Sequence, residues 1–468
     1  MRSRSLTAPL LLVLLGVLFL WRNLHPEAQI FDLIATWWPF LLVAWGLLRL
    51  MEAAIWRASR HPGLAAGEIV LVILICLAGM GLFEVHRHGI RLTPAIFGQQ
   101  FDYPIAVEGP AAGATRIVFD DPRGTIRITG ADSEEIRISG RKLIRAYSQD
   151  DAESTNGGTP VEIVPEGDRL VVTSHQDRAP ADERVSDELE VTVPRGVAIE
   201  AHSDSTDYEI SDTGGNVELS GARGDARLAR IGGNVRIGIG QSGTISADGI
   251  QGNLDIQGRG SDLDIQNVSG QVTVSGAYVG ELEFRNLAKP LHVQGERVEV
   301  QASAVPGSIN MDLGDLTAKN LVGPVRLVTQ SRDVHLEDFT DSLDLESARG
   351  DVEILPIHVP LPHIEARSGS GQIELVLPQN AGFLLQATAQ RGEAINDFGP
   401  PIESQTDGRT ATLRGTVGEG PVIRITAEHG SVSVRKQASG NAPVPQLSPV
   451  PPVPAAPPVN PKDSGVKL

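Results

Sequence analysis

Between Ile199 and Leu375 the chain repeats one short phrase ten times: an apolar residue, a polar one and another apolar one, answered some nine residues later by a second such pair. The leading pairs begin at Ile199, Val217, Val235, Leu254, Val272, Leu291, Ile309, Val325, Leu343 and Ile364, in steps of 16 to 21 residues centred on 18. The answering pairs begin at Tyr208, Ala226, Ile245, Leu263, Leu282, Val298, Leu316, Val334, Val352 and Ile373. A third apolar column lies four residues before most leading pairs, at Ile231, Ile250, Val268, Leu287, Val305, Leu321 and Phe339. Alternation with period two, rich in Val, Ile and Leu and bounded by turns such as Gly232-Gly233-Asn234, is the mark of a half-buried strand.

Two strands per 18-residue period predict an all-β fold, a β-solenoid whose coils stack at about 4.8 Å. Its inward residues form ladders, Val217–Val235–Leu254–Val272 among them. Each buried aliphatic side chain contributes roughly 1.5–3 kcal/mol, so about five per coil only offset the entropy of ordering it. A single coil would not stand alone; a capped stack would. The same nine-residue spacing links Ile117/Phe119 to Ile126/Ile128 and Ile423/Ile425 to Val432/Val434. We therefore expect a solenoid over 199–436, preceded at 108–198 by an N-terminal β cap or solenoid start that carries an acidic insert, Ser148 to Pro160. From Gln437 to 468 the chain turns Pro-rich and reads as a disordered or polyproline spacer, with a tether or docking peptide as the alternative.

The first 90 residues have another character. Three apolar runs, at about 6–22, 33–51 and 67–85, are each near the ~20 residues that cross a bilayer as a transmembrane helix. A cleaved signal would not be followed by two further spans. Arg2 and Arg4 precede the first run, and Arg49, Arg57 and Arg60 surround the second loop. This bias puts the N-terminus in the cytoplasm and everything after about residue 86 outside it. The run Pro9–Leu20 with the later element Trp37-Trp38-Pro39-Phe40 resembles the LiaF-like transmembrane region of bacterial envelope-stress proteins.

Residues 114–436 resemble the LiaG-like, adhesin-type domain family of bacterial envelope proteins. The resemblance is carried by the Gly-led coils, the segment Ile373–Pro378 and the ending Ile423–Val434. It implies a solenoid in the envelope, anchored in the bacterial inner membrane, and supplies no catalytic residues.

Charge sharpens this picture. The net charge is −18, yet residues 1–66 carry six Arg against Glu27, Asp32 and Glu52, so the remainder is more acidic still. Such a body repels nucleic acid, whose binding needs phosphate neutralisation. Cys76 is the only cysteine and excludes an intrachain disulfide.

Candidate chemistry is sparse. Gly238-Ile239-Gly240-Gln241-Ser242-Gly243 has dinucleotide-loop spacing, but it sits between two expected strands rather than before a helix. Gly258-Arg259-Gly260-Ser261-Asp262 echoes a calcium-binding nonapeptide. An acidic column precedes the answering pairs at Asp207, Asp225, Asp262, Glu281, Asp315, Asp333 and Asp351, interrupted by Thr244, Arg297 and Gln372. The full Gly-rich repeat that calcium requires is missing, so these read as turn residues. His202, Asp204 and Asp207 crowd metal-type ligands at a turn, and Asp120-Asp121 precede Pro122-Arg123-Gly124 at another. His61, His86, His88, Glu68 and Glu84 flank the apolar runs and read as interfacial.

No catalytic, cofactor-binding or metal-binding residue is assigned. The expected function is a noncatalytic adhesin-like or scaffold module that meets the lipid bilayer and an envelope protein or cell-wall polymer. The alternatives are an envelope-stress regulator acting through its spans and a polysaccharide-active β-helix enzyme. Near-minimal coils and scarce aromatic residues beyond the first 60 positions speak against the enzyme.

Overall fold

Along Ser205–Ser211 the side chains of Thr206, Tyr208 and Ile210 are buried while those between them face outward. This alternation recurs strand after strand, and within each unit it puts apolar side chains on the inner faces of two sheets. The computed structural model describes residues 98–437, apart from 112, 121 and 242. The three expected spans and the Pro-rich tail beyond Gln437 lie outside the described residues. The described chain divides into two units, one ending at Gly232 and one beginning at Gly233.

In the first unit the coils begin ahead of the ten regular repeats. Arg116–Asp120 lies parallel to Ala198–Ser203, pairing Ile117 with Ile199, and Ala198–Ser203 in turn pairs with Val217–Arg223. On the other sheet Arg123–Ala131 pairs Ile126 with Tyr208, and Tyr208 pairs with Ala226. The region expected as a cap or solenoid start thus holds a complete coil. The rest of it widens both sheets. Glu135–Ala146 runs antiparallel to Arg184–Pro194 and to Gln99–Pro110, and Arg169–Thr173 carries the hairpin partner Glu162–Glu166.

The acidic insert forms a helix, Gln149–Gly158. The Asp151 amide donates to Ser148 Oγ at 3.2 Å, and Asp150 and Asp151 favour the positive end of the helix dipole. Ala152 packs against Ile144, Ala146 and Val185.

Lys142 and Asp187 stand opposite each other in this cap, only 2% and 1% exposed. Lys142 Nζ donates to Thr159 Oγ1 at 3.1 Å, and Gln176 Nε2 donates to Asp187 Oδ2 at 2.7 Å. Burial pushes the Asp187 carboxyl above its ordinary 3.8, a shift that Gln176, Lys142 and Ser174 only partly offset. Burial also lowers Lys142. A carboxyl raised on folding contributes stability that is complete below its unfolded value and is lost as pH climbs through the folded value. The Asp187→Asn variant is therefore expected to lose less stability than the parent as pH rises from 3.8. Urea titrations of both chains across that range would show the parent's stability falling more steeply than the variant's.

The second unit carries the most regular ladders. Val235, Leu254, Val272 and Leu291 stack in parallel register on one sheet. Ile245, Leu263 and Leu282 do so on the other. The third apolar column marks the bend between the sheets. Buried Ile250, Val268, Leu287, Leu321 and Phe339 each follow a residue with positive φ: Gly249, Asn267, Asn286, Asn320 and Asp338. Only a glycine or a short polar side chain enters that region cheaply.

The amides also form a chain of their own. Asn286 Nδ2 donates to Asn267 Oδ1 at 2.6 Å, and Asn267 Nδ2 to Asp248 Oδ1 at 2.7 Å. Asn267→Ala is expected to cost about 1–2 kcal/mol, mostly backbone strain at φ 56°. Asn267→Gly should recover most of it, and hydrogen exchange around Val268 would separate the two variants.

The repeat reverses where the leading and answering pairs were expected to continue. Val298–Met311 is a single strand of 14 residues that runs against its neighbours. Its first half pairs with Leu291–Gly295, placing Val300 opposite Val293, and its second half pairs with Leu282–Leu287, placing Ile309 opposite Phe284. Val298 therefore lies in the sheet of the leading pairs and Ile309 in the sheet of the answering pairs, the opposite of the expected assignment. The physical reason is that alternation decides which side chains face inward but carries no direction. Asp315–Thr329 then returns antiparallel to the reversed strand. Beyond it the parallel stack resumes, Leu316 with Val334 and Val325 with Leu343.

The far end of this unit is closed by Phe383–Ala389 and its antiparallel partner Thr410–Val417. There Phe383 and Phe398 meet edge to face at 5.3 Å.

Candidate functional site

A regular coil of the second unit closes by a short segment from a leading strand back to an answering strand, as Val279–Glu281 joins Val272–Tyr278 to Leu282–Leu287. At the reversed strand no such segment crosses. Two tight turns stand in its place, one between Gly295 and Val298 and one between Met311 and Asp315. A cavity of about 170 Å³ opens there. Val274, Leu282 and Val293 line its wall, and Tyr278, Arg297 and Arg332 bring polar groups to it.

The rim is unusually apolar for a solvated surface. Leu313 is 71% and Val279 66% exposed, and both line the same cavity. Burial pushes the Tyr278 phenol up to about 12, so it remains a hydrogen-bond donor at any physiological pH. Arg332 is 9% exposed. Its Nε donates to the carbonyl oxygen of Asp312, and no carboxylate among the described residues lies within 4.0 Å of its guanidinium. Desolvation lowers the Arg332 pKa, nearby Asp312 opposes the shift, and Arg297 adds to it as a like charge.

The Asp312 carboxylate is engaged elsewhere. Its Oδ1 accepts from the amides of Gly314 and Asp315, both at 2.7 Å, and those two bonds hold its pKa down. The site can thus offer two cations, a phenol and an apolar wall.

The residues singled out in the sequence do not converge on this place. Gly238-Ile239-Gly240 ends the strand Val235–Gln241 and the next element is the strand Thr244–Ile250, so no helix end faces a phosphate. Gly258-Arg259-Gly260 also lies within a strand, Leu254–Gly260.

The acidic column joins coil to coil. Asp207 Oδ1 accepts from the Asp225 amide at 2.9 Å, and Asp262 Oδ1 from Glu281 at 2.9 Å. Asp333 and Asp351 accept in the same way from the amides of Asp351 and Gln372, both at 2.8 Å. Asn234 and Asn253 repeat the device on the other sheet, each at 2.9 Å. Along that column, past Asp315, Asp333 and Asp351, a shallow hollow of about 320 Å³ is also lined by His335, Glu353 and Glu374. Its charges answer one another: His335 Nδ1 lies 2.8 Å from Glu353, and Arg435 pairs with both Glu353 and Glu374.

His202 contacts Glu200 at 2.8 Å and Ser220 at 2.5 Å, while Asp207 turns to the next coil, so this group does not form one centre. Among the described residues, no set of three or more His, Cys, Asp or Glu is placed to hold a metal ion. Asp120 is the exposed last residue of the strand Arg116–Asp120, which is paired on both sides. Asp121, His61, His86, His88, Glu68 and Glu84 lie outside the described residues.

The cavity itself had one signal in the sequence. Leading and answering pairs stand nine or ten residues apart everywhere except Leu291 to Val298 and Ile309 to Leu316, where the gap is seven. Those two short gaps are the two reversals.

Several known proteins are similar to this chain. A solved cell-adhesion candidate from Clostridium sporogenes shares 8% identity over 72% of this chain and 100% of its own, with a TM-score of 0.16. Adhesin candidates from Bacteroides fragilis and Parabacteroides distasonis share 8% and 10% identity, each over 72% of this chain and 97% of their own, with TM-scores of 0.20 and 0.17. Among curated proteins, none matches. Residues 7–98 match the LiaF transmembrane domain, which makes the N-terminal region a membrane anchor. Residues 114–435, well over half of the sequence, match the Toastrack DUF4097 domain, and the chain belongs to that family.

Proposed function

We propose that this protein is a membrane-anchored, extracytoplasmic β-solenoid that serves the bacterial cell envelope as a noncatalytic interaction module. The observation that carries the reading is the use of its polar side chains. The Asp and Asn columns that an enzyme could turn into a cleft are bonded to the amides of the next coil. Between them the turns are short, leaving little chain from which to build a catalytic loop. Three N-terminal helices at about 6–22, 33–51 and 67–85, with the basic loops in the cytoplasm, would present the solenoid on the outer side of the inner membrane.

A photo-crosslinking residue placed at Val279, Leu313 or the acidic face of the full chain in living cells tests this. The reading expects an envelope protein or cell-wall polymer to be captured. Depolymerisation of a glycan by the purified chain would overturn it.

A second reading rests on the match to the LiaF transmembrane domain: the spans regulate an envelope-stress response and the solenoid reports to them. If residues 1–97 alone alter a stress reporter as strongly as the whole chain does, the regulatory reading replaces the first.

A further inference from the structure

We propose that the cavity at the reversed strand is a binding site for a carboxylate that carries one compact apolar group. The site goes beyond the interaction reading and does not depend on it, because it is argued only from the groups that line it.

Size selects the apolar part. The cavity, about 170 Å³ and open at its rim, has room against its wall for a branched side chain of leucine size. Val274, Leu282 and Val293 form the wall such a group would meet.

Charge selects the head. Arg332 is more than nine-tenths buried beside the cavity, and Arg297 stands exposed at its edge. Among the described residues neither has a carboxylate within 4.0 Å, although the chain as a whole has net charge −18. Asp312 compensates the buried Arg332 charge only from beyond 4.0 Å, and a planar guanidinium matches a carboxylate with two parallel hydrogen bonds. The carboxylates nearby do not meet this need. Asp312 is held by two turn amides, and Glu296 is exposed on the rim. Glu296 would also repel a second negative charge, which favours a monoanion over a phosphate dianion.

Two sources share this chemistry, a peptide C-terminus ending in an apolar residue and a short branched free acid. N-acetyl-leucine represents the first and 4-methylpentanoate the second. Both would be titrated calorimetrically into the full chain held in lipid nanodiscs, alongside their uncharged amides.

Saturable binding of at least one acid is expected, about tenfold or more weaker for the matching amide, since a charge-assisted bond is lost. The tighter acid identifies the source. Arg297→Ser, at an exposed position, should leave the fold intact and weaken binding about fivefold, as for loss of one solvent-exposed ion pair.

A second variant deletes residues 299–314. It returns Leu316 to nine positions after Leu291, the spacing of the regular coils. The strands on either side already run the same way, because each is antiparallel to the reversed strand. That variant should fold, close the cavity and lose binding. The proposal is overturned if neither acid binds saturably, if the amides bind equally well, or if Arg297→Ser leaves affinity unchanged.

Discussion

Gly258→Val is expected to keep the second unit from folding. Gly258 lies in Leu254–Gly260 with φ of +143°, a region closed to valine, and a Cβ built there falls 1.7 Å from the carbonyl oxygen of Ile239 in the coil below. The obstruction is backbone, fixed by parallel pairing on both sides, so no side-chain rotation relieves it. Gly276 repeats the arrangement one coil on, its Cβ position 1.8 Å from the carbonyl of Gly258. The expected loss exceeds about 5 kcal/mol, beyond what most single substitutions cause. Limited proteolysis of the full chain should show residues beyond Gly233 cut freely. Gly408→Ala provides the control. Its φ is +60° with nothing within 4 Å, so it should cost only about 1–2 kcal/mol of backbone strain. A Gly258→Val chain as protected as the parent would mean that the coils do not stack as described.

Phe284→Ala should remove about 3–5 kcal/mol, the usual cost of truncating a buried aromatic ring. Phe284 is 0% exposed, with Ile265 on one side of it in the sheet and Ile309 of the reversed strand on the other. It therefore ties the regular coils to the reversal, and the void it leaves cannot collapse without shifting both. Phe284→Leu keeps most of the volume and should cost about 1–2 kcal/mol. All five Trp lie in the first 60 residues, so tryptophan emission would report on the membrane region. Hydrogen exchange of peptides spanning 282–311 is the better measurement. Equal exchange in parent and Phe284→Ala would show that the reversed strand does not rest on this ring.

The in-and-out pattern was legible because burial in a stacked strand has a period of two, and Val235, Leu254, Val272 and Leu291 obey it without exception. The bends were half legible. The third column stood out as apolar, but the positive φ before it is obvious only for Gly249, since Asn267 and Asn286 also serve as ordinary turn residues. The cap was hardest. Lys142 and Asp187 look like surface residues in sequence, and their partners Thr159 and Gln176, both on the chain between their two strands, go with them into the interior. Strand direction around Val298 was hidden by alternation, which reads the same both ways. The cavity followed that reversal out of sight, because Tyr278, Arg297, Leu313 and Arg332 are scattered over more than 50 positions and share no motif.

The reversed strand also has a consequence in time. A parallel coil cannot close until the chain has gone once round, about 18 residues, before its first rung pairs. At the two turns, Gln294 meets Glu299 and Met311 meets Leu316 only five positions away. By loop-closure entropy the shorter excursion is easier by about 1 kcal/mol, and hairpins of this kind zip in roughly 1–10 μs. The segment from Leu291 to Thr329 is thus the natural starting seed of its unit, presenting two finished sheet edges on which later coils can wind in both directions.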